Sequence, residues 1–176
     1  MKVFCKNMVS FSMDNGNTEI PILLVDTIGE NDNRRVTTRE WSTYIDILSL
    51  TNNDWEGVRI LDVGSGIKTS DPALVFPGAT IYAIDPEFTF PIKNSDKIQC
   101  NTADVVRKGT VLEMPADSNS FDYVWSSHAI PIRINKDNIP KAISEMIRVL
   151  KPRGEIRLAP CDSIDLKSVQ EPLDQA

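Results

Sequence analysis

Ile60-Leu61-Asp62-Val63-Gly64-Ser65-Gly66 is the stretch on which the reading of this chain turns. A short apolar run, Val58-Arg59-Ile60-Leu61, leads into a Gly-x-Gly turn. Glycine there lets the backbone approach a ligand closely, where a Cβ would collide. A tight strand-to-helix turn that binds nothing would use the same residues. Asp85 adds direction: it ends the run Thr80-Ile81-Tyr82-Ala83-Ile84, nineteen residues after Gly66. An acid at the tip of a second parallel strand can accept hydrogen bonds from both hydroxyls of a ribose. The other reading is an ordinary solvated acid. A dinucleotide fingerprint would place its third glycine at position 69, which is Thr69, and Lys68-Thr69-Ser70-Asp71-Pro72 is an awkward start for a helix meant to receive a pyrophosphate.

Working outward from that turn, the pattern becomes strand, loop, helix, repeated. Ala79 to Ile84 is a second strand, a third falls somewhere between Ile98 and Val111, Phe121 to Trp125 is a fourth and Glu155 to Leu158 a fifth. Between the last two, Ala142, Ile143, Met146, Ile147 and Leu150 follow the 3.6-residue period and predict a helix over Pro140 to Leu150, stopped by Pro152. Strands alternating with helices imply a doubly wound, mostly parallel α/β sheet covered on both faces. Upstream, Trp41, Tyr44, Ile45 and Leu48 predict a helix from about Thr38 to Leu50, capped by Thr37 or Thr38. Lys6 to Met13 and Thr18 to Asp26 flank Asp14-Asn15-Gly16-Asn17 and read as a β-hairpin, with Pro21 pointing to an edge strand. Gly29 to Arg35 reads as loop and Ser163 to Ala176 as a polar tail. The division is therefore 1–36 hairpin and loop, 37–162 ligand-binding domain, and 163–176 tail.

The 176 residues are 41% hydrophobic and 25% charged, with a formal net charge of −6. That length suits one domain and can bury roughly 70% of the surface its unfolded chain exposes. The acidic balance, without a run of Lys and Arg, disfavours a nucleic-acid-coating surface. No stretch approaches the roughly 18 apolar residues of a bilayer span, and the opening residues lack the apolar core of a secretory signal, so a cytoplasmic location is expected. Cys5, Cys100 and Cys161 are far apart and odd in number, which suggests neither a disulfide framework nor a zinc site.

The downstream half narrows the function. Leu112-Glu113-Met114-Pro115, Asn119-Ser120-Phe121-Asp122-Tyr123-Val124 and Glu145-Met146-Ile147-Arg148-Val149-Leu150-Lys151-Pro152-Arg153-Gly154 follow the Gly turn and Asp85 in order. Over about residues 56–160 the chain resembles the class I S-adenosylmethionine-dependent methyltransferases, in particular the small-molecule type 11 subgroup. The resemblance implies a Rossmann-like fold and residue roles. Asp62, Gly64, Ser65 and Gly66 would surround the methionine moiety, Asp85 would bind the ribose and Pro86 would lie beside the adenine. Ser126 would lie near the methionine end, and Asp122 would be structural. In the adenine loop Thr110 and Val111 match the family's pattern without gaps, so Thr110 stands where an acid is usual; a six-residue insertion would make Asp104 that acid. Lys68 stands where the family carries a small residue.

The family usually adds a helix and two strands beyond the fifth, and the residues after Pro160 are too few to supply them. A bare sheet edge invites pairing; the N-terminal hairpin could cover it, or a homodimer could form through it. His128, in Ser126-Ser127-His128-Ala129, lies where active-site residues of open α/β sheets gather and is the candidate proton acceptor, unless it only shapes the pocket. Trp41 and Tyr44 could be a lid or core, Trp125 core, and Arg133 and Lys136 either acceptor contacts or solvated charges. The implied function is methyl transfer from S-adenosylmethionine to a small molecule, leaving S-adenosylhomocysteine. Two alternatives are another reaction of the same cofactor, cyclisation or elimination, and a non-catalytic partner protein. No metal is implied.

Overall fold

The computed structural model describes residues 40–50, 54–86, 101–130 and 133–159 in full, and the backbone of 6–12 and 19–25. Five neighbouring strands run parallel in one sheet: β3 (Arg59–Val63), β4 (Thr80–Asp85), β5 (Val105–Lys108), β6 (Phe121–Ser127) and β7 (Leu150–Ala159). Two more come from the N-terminal hairpin, β1 (Lys6–Ser12) and β2 (Glu19–Val25). The order across the sheet is β1-β2-β7-β6-β3-β4-β5. Among the described residues the α-helices are α1 (Trp41–Ile47) and α2 (Ile139–Val149).

Strand side chains alternate between two cores, as the pleat requires. Leu61, Val63, Ile84, Val124, Ile156 and Leu158 meet Ala142, Ile143, Met146 and Ile147 of α2 on one face. Ile60, Ile81, Ala83 and Trp125 meet Trp41, Tyr44 and Leu48 on the α1 face, with Trp55 and Phe76. The α1-side core is aromatic: Trp55 lies edge-on to Phe76 at 5.2 Å and to Trp125 at 5.8 Å. Trp41 and Tyr44 are buried there, so they are core rather than lid, and Trp125 is core as expected.

Several expectations need correction. The β3-to-β4 crossover contains no α-helix, only a 3-10 turn over Pro72–Leu74 with Asp71 capping it through Ala73 N. Pro72, Pro77 and Gly78 break the segment, and Phe76 is buried against Trp55 and Trp125 in the α1-side core. α1 begins at Trp41, with Glu40 rather than a threonine at its N-cap position; Thr37 and Thr38 lie outside the described residues. α2 ends one residue earlier than expected, because Leu150 is already extended and opens β7. Pro152 therefore sits inside a strand, within the register shift that separates the Phe121–Leu150 pair from the Tyr123–Glu155 pair, and an irregularity of that kind tolerates a residue that cannot donate.

The hairpin takes the outer edge of β7: β2 pairs with it in parallel, Ile22 opposite Ile156 and Leu24 opposite Leu158. β2 is thus not an edge strand; β1 is. Pro21 is accommodated because the ladder to β7 starts at Ile22, one residue beyond it. The three cysteines, the hairpin turn, the Gly29 to Arg35 loop and the tail lie outside the described residues.

Candidate functional site

At the carboxyl ends of β3, β4 and β6 the structure opens a cavity of about 420 Å³. Open parallel sheets bind ligands at this end. One wall is the turn after β3, where Gly64 and Gly66 both have positive φ, +69° and +65°. A Cβ on Gly64 would lie 2.2 Å from Ala129 Cβ, so glycine is required by space as well as by dihedral. The turn is pinned from behind: Gly64 N and Ser65 N donate to Ile84 O at 2.8 and 3.2 Å.

Asp85 ends β4 on the cavity wall, with one carboxylate oxygen accepting from Gly66 N at 3.0 Å. Pro86 follows it. The third wall comes from the segment after β5, where Gly109, Thr110, Val111 and Leu112 line the cavity. Gly109 packs so tightly on Pro115 that a Cβ would meet its ring at 2.6 Å. Thr110 Oγ1 accepts from Leu112 N at 3.2 Å, so the hydroxyl shapes its own turn. Asp104 is elsewhere, accepting from Ile81 N at 2.6 Å at the start of β4. Of the two candidates for the adenine-loop position, Thr110 is the one at the cavity.

Ser127 at the end of β6, with His128, Ala129 and Ile130 past it, closes the fourth side, with Arg133 and Ile134 beyond. His128 has a φ of +65°, and its ring Nδ1 lies 3.0 Å from Ser127 Oγ. Its backbone N donates to Ala159 O, tying the tip of β6 to the end of β7. Lys136 is exposed in the 3-10 turn before α2 and does not line the cavity.

Asp62, Ser65 and Ser126 lie beneath the walls, each essentially closed to solvent. Ser126 Oγ accepts from Ile130 N at 3.3 Å. Asp62 Oδ2 accepts from Tyr44 Oη at 3.1 Å and Ser65 Oγ at 2.5 Å, and Lys68 Nζ stands 3.2 Å away. Its Oδ1 has no hydrogen-bond partner among the described residues. Lys68 does not project into the cavity: it is fully buried, over the rings of Trp41 and Tyr44 at 4.6 and 4.7 Å. Burial pushes its ammonium below the ordinary lysine range, and the Asp62 carboxylate opposes that shift.

Two side chains that sequence reasoning passed over brace this turn. Glu40 accepts from the amides and hydroxyls of both Thr69 and Ser70, at 2.6 to 3.2 Å. Partial burial works to raise its carboxyl, but those bonds outweigh it and hold the pKa at about 2. Asn101 Nδ2 donates to Ser65 Oγ and to Gly66 O at 2.9 and 2.7 Å. No short-range pattern marks either residue. Ser127 and Ala129 had a legible signal, since they flank His128 beyond a strand end.

A family model described as a methyltransferase domain matches residues 61–158, more than half of the chain. The chain belongs to this family. The demethylmenaquinone methyltransferase of Renibacterium salmoninarum is 32% identical to the domain over 103 residues, covering 58% of this chain and 41% of that protein. A sterol 24-C-methyltransferase of Schizosaccharomyces pombe is 33% identical over 107 residues, covering 56% and 26%. The chain thus spans less than half the length of these relatives. A TehB-like S-adenosylmethionine-dependent methyltransferase from Corynebacterium glutamicum superposes with a TM-score of 0.52 at 17% identity, over 75% of this chain and 71% of that one. That likeness shows the fold: the methyltransferase domain has the class I, Rossmann-like architecture. Among its described residues no helix is long and apolar enough to cross a membrane.

The cavity also fits the cofactor class of this family on its own geometry. A glycine wall leaves backbone where a side chain would block a nucleoside, Asp85 offers a carboxylate at the wall, and Pro86, Val111 and Leu112 supply an apolar shelf for a base.

Proposed function

We propose that the methyltransferase domain binds S-adenosylmethionine in this cavity and directs its methyl group to a small-molecule acceptor. The observation that carries the reading is the joint between the glycine turn and Asp85, which places a carboxylate and a side-chain-free backbone on one ligand-facing wall. Gly64, Gly66, Asp85, Pro86, Thr110 and Val111 face the ligand, while Asp62, Ser65 and Ser126 support them from below. When bound, the sulfonium supplies a methyl group open to in-line displacement. The chain's part is to orient the acceptor and exclude water, which is where proximity yields most of its rate. Ile130 and Ile134 give the acceptor an apolar wall, and the imidazole of His128 stands on that wall to take a proton from the acceptor nucleophile. Arg133 lines the same side. Two of the relatives are named for small-molecule acceptors, which suits this pocket. We place the binding unit at residues 37–162 and the protein in the cytoplasm.

Calorimetry with S-adenosylmethionine and S-adenosylhomocysteine, on wild type and Asp85→Ala, tests the reading. Loss of charge-assisted hydrogen bonds to the ribose should weaken binding about 10- to 150-fold. No binding by the wild type, or equal binding by the variant, would remove the proposal. If both bind as expected, His128→Asn should lower turnover on an identified acceptor while leaving cofactor affinity in place.

A further inference from the structure

The β3-to-β4 crossover leaves the glycine turn without its usual support. In a βαβ unit such a turn opens directly into a helix that fixes it. Here residues 65–69 have no regular structure and only the three-residue 3-10 turn follows. Gly64 and Gly66, the least restrained residue type, must be held another way.

Gly64 is held by its bond to Ile84 O and Gly66 by Asn101; Lys68 adds a grip on the single peptide group that precedes Gly66. Its ammonium donates to the carbonyl of Ser65, and to Ser65 Oγ at 3.1 Å. That carbonyl belongs to the peptide joining Ser65 to Gly66. The N–H of the same peptide donates to Asp85 Oδ2 at 3.0 Å. One rigid, planar unit is therefore gripped by Lys68 at its oxygen, on the α1 side, and by the cavity carboxylate at its nitrogen. Rotating this peptide would aim its N–H away from Asp85 and free the carboxylate to turn. Lys68 in turn is located by Asp62 Oδ2 at 3.2 Å and by the Trp41 and Tyr44 rings.

We infer that Lys68 is a positioning residue for the ligand cavity, fixing the Asp85 carboxylate through the Ser65–Gly66 peptide. The inference rests on the proposed cofactor site for only one of its two tests. The competing role is charge balance: a buried Asp62 needs a cation, and Lys68 would then matter only as its counter-ion. Lys68→Met alone cannot separate the two, since it strands Asp62 and can unfold the chain. Asp62→Asn/Lys68→Met removes both charges together and keeps the volume.

The first measurement is amide exchange in ligand-free protein, with melting temperature as the control for global stability. In the double variant, protection at the Gly66 amide should fall about tenfold, the equivalent of one hydrogen bond of about 1.4 kcal/mol, while protection on β6 and β7 stays unchanged. The second is S-adenosylhomocysteine affinity, which should fall about tenfold or more in the same variant. A folded double variant with wild-type Gly66 protection overturns the inference, as does one with wild-type affinity in a protein that binds the ligand. If the wild type binds no S-adenosylhomocysteine, the cofactor reading falls, and Gly66 exchange alone decides the role of Lys68.

Discussion

Gly64→Ala is the substitution whose cost the structure specifies most closely. The residue sits at φ +69°, where an L side chain costs about 1–2 kcal/mol. Its new methyl would lie 2.2 Å from Ala129 Cβ, far inside van der Waals contact, and forced overpacking of this kind costs about 1–3 kcal/mol. Together the two effects predict a loss of about 2–5 kcal/mol, a large part of the roughly 5–15 kcal/mol that keeps a domain folded. The two causes separate in a double-mutant cycle. Ala129→Gly alone should cost about 1–2 kcal/mol, from a lost methyl and added backbone freedom. In Gly64→Ala/Ala129→Gly the collision is gone, leaving the dihedral cost and that of Ala129→Gly, so the double variant should be more stable than the sum of the singles predicts by about 1–3 kcal/mol. Urea unfolding at constant m-value reads all four proteins. Simple additivity, within about 0.5 kcal/mol, would refute the steric argument and with it the claim that the β6 tip sets the cavity's glycine wall.

Three further outcomes follow from named contacts. Glu40 titrates at about 2 in the fold against 4.5 ordinarily, so its stabilisation is complete above about pH 4.5 and is lost as pH falls towards 2; Glu40→Gln should flatten that stretch of the acid-unfolding curve by about 1 kcal/mol, the figure solvent screening leaves for so exposed a group, and identical slopes would discount the clamp. Arg157 donates to Leu48 O and Ser49 O at 3.1 and 2.7 Å, so Arg157→Leu, which orphans both carbonyls, should cost about 3 kcal/mol in chemical denaturation; a loss below about 1 kcal/mol would show that α1 docks without it. Met146, fully buried between α2 and the sheet, should cost about 2–5 kcal/mol on truncation to Ala, measured as a fall in the urea midpoint.

The elements that sequence made legible are those written in short-range periodicity. The run ending at Leu61, the glycine turn, the acid at 85 and the helix ending near Leu150 all announce themselves within a dozen residues. Face and depth are harder. Ser126 and Ser127 are neighbours with the same side chain, yet the pleat sends Ser126 beneath Ile130 and Ser127 to the cavity. Asp62 is a motif residue by spacing, but its carboxylate is enclosed by Tyr44, Ser65 and Lys68, partners drawn from helix, turn and loop. Glu40 and Asn101 brace the turn from 29 and 35 residues away, distances at which no local pattern operates. The missing crossover helix was foreshadowed by Pro72 and Pro77, which break the periodicity a helix would need.

The parallel pairing of β2 with β7 has a consequence for how the chain comes into being. Ile22 and Ile156 lie 134 residues apart, and synthesis at about 5–20 residues per second puts the hairpin outside the ribosome roughly 7–27 s before its neighbour emerges. Throughout that interval the Ile22-Leu23-Leu24-Val25 strand has β1 on one side and nothing on the side that β7 will cover. Nascent chains arrested just short of β7 should therefore be the species most in need of a holding chaperone, and release of that chaperone should coincide with emergence of residues 150–159.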